Sequence, residues 1–282
     1  MVKMLWRKAI IIAVLLVVGI FFLTIQLDKA NPWARYSEES RALRVLVNAF
    51  AVANHGYHVD FFGIDDNDFD IHSSSGTISL RISARSPYLK FTPQWNAFPA
   101  VIYMNSPASM KTPLLDKTLT VQAIDDIGST REGHKHVARN LLRSLGPSLL
   151  ATAVVKLNTP MDERGMDMIW TDRIDAVVLG RGNEENMKPV TWAGGACGAM
   201  GFDCDSAGGS RLREFQRWVA VLEDEDRDAL KAFGLELNEL REYASDGLVQ
   251  GFVVTAKPDD LQKLIDDSRI QWLRVTDVFV DR

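Results

Sequence analysis

From Ala9 to Leu27 the chain carries no charge and is almost wholly apolar. About 20 such residues are what a helix needs to cross a bilayer. Lys3, Arg7 and Lys8 precede the run, whereas Asp28 and Lys29 behind it nearly cancel. That bias predicts an N-terminus in the cytoplasm. Trp6 and Trp33 flank the run, where interfacial aromatics belong. A cleaved signal peptide would have a shorter apolar stretch and a small-x-small site behind it. Cleavage after Ala30 would need a small residue at Asp28. The pattern therefore predicts an uncleaved anchor: residues 1–8 as a cytoplasmic tip, 9–27 as a transmembrane helix, and the remainder outside the membrane.

Beyond the run the periodicity changes several times. Pro32 breaks the first helix, and Ser37 or Ser40 caps a second that reaches Asn54-His55-Gly56. Leu43, Leu46, Val47, Phe50 and Ala51 recur in it at helical spacing, either to pack on the exterior domain or to serve as a connector. His58–Phe62 and Gly76–Ile82 alternate apolar and polar residues as strands do, with turns at Asp65–Asp68 and Ser73–Gly76. Prolines 87, 93, 99, 107 and 113 predict loop with short strands, and Leu119–Ile124 reads as one more strand. A helix from about Arg131 to Ser144 ends at Leu145-Gly146-Pro147.

The C-terminal half has a repeated grammar. Thr152–Leu157 is a predicted strand, Asn158–Glu163 a turn into a helix, and Ile174–Leu179 a second strand. Val249–Val254, a helix entered at Ala256–Leu261, and Ile270–Val275 repeat the order. Pro160 and Pro258 are placed near the first helical position, where a missing N–H costs nothing. Between the units lie helices from about Arg211 to Leu222 and from about Glu225 to Ser245. The predicted fold is a single-pass membrane protein with an α+β extracytoplasmic domain. Its C-terminal half, 151–282, holds two β-α-β units in a ferredoxin-like or related open sheet; 28–150 is a juxtamembrane helix with a strand-rich region.

Composition narrows the function classes. The 282 residues carry a net charge of −5 and a pI near 5.6, which argues against a nucleic-acid surface. The two cysteines, Cys197 and Cys204, sit in a glycine-rich stretch from Ala193 to Ser210. Outside the membrane they are a disulfide candidate that would shape a loop more than hold a fold; two free thiols are the alternative. Neither they nor His134-Lys135-His136 has the partners of a metal site. Asp65–Asp70 is densely acidic, with His55, His58 and His72 near it, but lacks the glycine and terminal Glu of an EF-hand. Met161, Met166 and Met168 read as core filling. With no nucleophile elbow and no phosphate loop, no catalytic set, metal or cofactor is predicted.

Tyr243–Leu264 combines a helix ending near Gly247, a strand with Gly251 and Val253-Val254-Thr255, and a helix with Leu261 and Leu264. In this it resembles the sigma factor regulator C-terminal domain, the extracytoplasmic part of membrane-bound anti-sigma factors. Ile270–Val278 resembles that domain's closing strand, and Val154–Leu157 with Pro160 its start. The resemblance covers roughly the last half of the chain. It implies a non-enzymatic regulator that binds an envelope ligand or partner, signals across the membrane and influences transcription. The implied partners are the membrane and a sigma factor of the extracytoplasmic-function type, or another membrane regulatory protein. About eight residues before the span cannot bury a standard interface, so a second membrane protein is expected to complete the route inward. The competing readings are an anchored envelope hydrolase, which would need acids and His converging in a cleft, and a structural adaptor.

Overall fold

The computed structural model describes residues 41, 45–54, 56–65, 69–70, 75–84, 98–106, 109–111, 118–128, 135–169, 174–180, 189–194 and 210–280. By contacts, residues 44–282 form one compact unit and 1–43 another. The predicted tip, span and helix start at Ser37–Ser40 lie outside the described residues. No helix among those described is long and apolar enough to cross a membrane.

Helix α1 (45–53) buries Val45, Leu46, Val47, Ala49, Phe50 and Val52. Phe50 meets Phe233 edge to face at 6.3 Å, so this helix packs into the domain. A first antiparallel sheet follows: β1 (Tyr57–Asp65), β2 (Phe69–Asp70), β3 (Ser75–Ala84), β4 (Phe98–Ser106) and β5 (Ser109–Lys111). Its order is β1-β3-β4-β5, with β2 also on β3. Both strands predicted from alternation fall within β1 and β3. The proline-rich stretch holds a nine-residue strand, β4. Its Pro99 pairs with Arg81 of β3 beyond the reach of β5, which pairs only with Tyr103–Ser106. Among the described residues no strand pairs with that part of β4 on its other side, the setting in which a sheet tolerates proline.

Leu119–Ile124 is not a strand. It opens helix α2 (Leu119–Asp125), followed by a 3-10 turn, Asp126–Gly128. Thr118 caps the helix by accepting from Val121 N at 3.2 Å. The alternation of Leu119, Val121 and Ala123 was a coincidence of a short window. Thr120, Val121, Ala123 and Ile124 are buried at helical spacing, whereas Leu119 is exposed. Helix α3 (Lys135–Ser144) ends where predicted.

The second sheet comprises β6 (Leu149–Met161), β7 (Ile174–Leu179), β8 (Val190–Trp192), β9 (Val249–Ala256) and β10 (Ile270–Val280). It is antiparallel, in the order β10-β6-β9-β7-β8. Strand β6 runs through Asn158–Met161, which were predicted as a turn, so Pro160 lies in the strand and not at a helix start. The turn comes only at Asp162, which accepts from Gly165 N and opens α4 (Glu163–Asp167). Helices α5 (Arg211–Ala220), α6 (Arg227–Ala232) and α7 (Leu237–Asp246) follow. The single helix predicted from Glu225 to Ser245 is therefore two, because Gly234 takes φ 71° between them. Pro258 does begin α8 (Pro258–Asp266), as the sequence predicts. Two crossovers result. Strands β6 and β7 both run antiparallel to β9, which lies between them; β9 and β10 flank β6 in the same way.

Alternation gives this sheet two buried faces. On one, Val154, Ala176, Val178, Val253 and Trp272 pack with Ala123, Ile124 and Ile127 of α2 and its 3-10 turn. On the other are Ala153, Val155 and Leu157 of β6, Phe252 and Val254 of β9, and Leu273 of β10, all buried. Helix α8 lies against β6 and β10 and buries Leu261, Leu264 and Ile265; α5 lies against β7 and β8.

Candidate functional site

The residues singled out by resemblance form the middle of this sheet and the helix on it. Gly251 lies on β9 opposite Lys156 of β6 and Val178 of β7. A side chain there would meet Val155 O at 2.4 Å and Ile127 Cδ1 at 2.8 Å. Glycine is required by the close approach of the α2 layer and the neighbouring strand, not by its own backbone angles. Val253 and Val254 are buried on opposite faces. Thr255 lies opposite Thr152, and their hydroxyls are 3.0 Å apart. Thr120 of α2 donates to Thr276 of β10 at 2.9 Å, and Thr276 donates to Thr152 O at 3.4 Å. These hydroxyls stitch the helix layer to three strands. Leu261 and Leu264 are core residues of α8. Each motif position thus shapes the scaffold.

A polar junction, unmarked by the sequence reading, sits at the turn between α8 and β10. Asp267 accepts from Arg269 N at 2.8 Å and from its guanidinium at 2.6 Å. Asn158 N donates to Arg269 O, and the Asn158 amide to Ser268 O. Arg269 also donates to Met168 O beyond α4. From α3, Lys135 donates to Asp267 O, and Arg139 pairs with Asp266 at 2.6 Å. Three elements, β6, α3 and the end of α4, are therefore tied to the turn that joins α8 to β10. The signal available was Asp-x-Arg after a helix, an Asx turn in which the carboxylate accepts from the backbone two residues on.

The guanidinium and backbone N–H of Arg269 hold the Asp267 carboxyl below its usual pKa, against an opposing push from burial. A depressed carboxylate contributes stability that is fully present above its unfolded pKa and lost as pH falls through the folded value. Asp267→Asn is expected to destabilise the domain by about 1 kcal/mol at neutral pH. The gap to wild type should close below about pH 4. Denaturant unfolding across a pH series measures it; a gap independent of pH would remove Asp267 as the cause. Lys156, half-buried in β6, has its pKa lowered by burial.

Between α5 and α7 is an open depression of about 380 Å³, lined by Gln216, Val219, Ala220, Leu222, Arg241, Ala244 and Ser245. Gln216 donates to Ala244 O at 2.8 Å, and Arg241 is held by Asp224 at 2.9 Å and Leu222 O at 3.1 Å. Its cation and amide are committed to structure, and its shape offers a contact surface.

The remaining sequence candidates separate as follows. Cys197, Cys204, His55, His72 and His134 lie outside the described residues, as do Asp66, Asn67 and Asp68 of the acidic stretch, whereas Asp65 ends β1 and Asp70 ends β2. His58 is on β1, opposite Ser83. His136 is exposed on α3. Among the described residues no group of three His, Cys, Asp or Glu side chains could hold a metal ion. Met166 is buried in α4, consistent with core filling, but Met168 is 72% exposed.

No family model, curated protein or solved structure matches the chain.

Proposed function

We propose that the chain is a membrane-anchored extracytoplasmic regulatory protein of the kind found in anti-sigma systems. Its exterior domain binds an envelope ligand or partner, and the anchor couples that state to the cell interior. The observation that carries this reading is the uncharged run Ala9–Leu27 behind Lys3, Arg7 and Lys8, followed by a folded α+β domain. The likeness at Tyr243–Leu264 adds to it. Gly247 ends α7 with φ 60°, Gly251 sits under Ile127, and Leu261 and Leu264 are buried beneath the sheet, so these residues have a common structural reason. We propose further that β6, β7, β9 and β10 are a ferredoxin-like unit. Numbered in chain order they stand 4-1-3-2, with β8 as an added edge strand. This reading includes a sigma factor or a second membrane protein as partner, Cys197 and Cys204 as a disulfide, and no catalytic role.

Crosslinking of the full-length protein in its native membrane, with identification of what it captures, tests the function. Capture of a sigma factor or of a membrane regulatory protein is the expected result. Release of the protein from membranes by alkaline carbonate would remove the anchor, and this function with it. The disulfide has its own test. Alkylation of the unreduced, denatured protein is expected to label neither cysteine, and after reduction to label both.

A further inference from the structure

We draw no further inference here: the strongest candidate, the open depression of about 380 Å³ between α5 and α7 lined by Val219, Leu222 and Ala244, has its Gln216 amide and Arg241 guanidinium already bonded to Ala244 O, Asp224 and Leu222 O, and nothing in the structure shows what covers it.

Discussion

Gly251→Ala is expected to destabilise the domain by about 3 kcal/mol, the upper part of the range for overpacking a core. One added methyl would stand 2.4 Å from Val155 O and 2.8 Å from Ile127 Cδ1. The second contact can be relieved by a rotamer change, but the first is with backbone inside the β6–β9 ladder. The strands must part, or the helix layer carrying Ile127 must lift. For a unit of this size the loss corresponds to about 6–12 °C in the unfolding midpoint. Ile127→Ala provides the internal check. In wild type it opens a cavity and destabilises; in the Gly251→Ala background it also makes room, so its cost there should be smaller. Thermal unfolding of the four proteins of that cycle is the measurement. Strict additivity, or a midpoint within a degree of wild type for Gly251→Ala, would show that the layers are not in this contact.

Phe215→Ala is expected to cost about 3–5 kcal/mol, the range for removing a buried aromatic ring. Phe215 of α5 is fully buried, with its ring 5.7 Å from Trp192 of β8 and 6.0 Å from Trp218. Trp192 and Trp218 stack at 5.3 Å. The three rings wedge α5 onto the short border strand, and Glu214 receives the Trp192 N–H at 3.4 Å. Beyond these rings β8 has only its three-residue pairing with β7 among the described strands, so truncation should free β8 before it unfolds the sheet. Near-ultraviolet circular dichroism follows this directly, because the stacked indoles give a signal that depends on their mutual orientation. The expected result is loss of that signal together with a lower denaturation midpoint. Retention of both would mean that the indole pair is held by contacts other than Phe215.

The C-terminal sheet was largely legible in the sequence because its strands are buried on both faces. Runs such as Ala153-Val154-Val155 and Phe252-Val253-Val254 announce themselves without alternation. Helix α8 was equally clear, with Pro258 at its first position and Asp259 and Asp260 in its first turn. What misled was local. Leu119–Ile124 alternates over six residues, too short a window for period two and period 3.6 to be told apart, and the deciding residue was the cap Thr118. Pro160 imitated a helix start because prolines at strand ends and at helix starts look alike in one dimension. The break at Gly234 was visible as a glycine, but a lone glycine in a polar helical stretch does not by itself announce two helices. The scaffold role of Gly251 was hidden, since it depends on Ile127, more than a hundred positions earlier. The polar turn at Asp266–Arg269 was hidden for the same reason: its partners arrive from α3, β6 and the end of α4.

The interleaving of β6, β9 and β10 also has a consequence in time. Ala151 meets Ala256, and Leu149 meets Val280, so the first strand of the C-terminal sheet waits for the last. A chain still emerging from the ribosome or a translocation channel cannot give β6 either of its neighbours until Val249 has appeared. It cannot complete the sheet until β10 follows. Until then β6 is an apolar strand with both edges unfilled, the condition in which nascent chains are most exposed to proteases and to one another. Such sequence-distant pairing makes folding slow. Loss of β10 alone would therefore act on the whole sheet, so that the domain fails to appear.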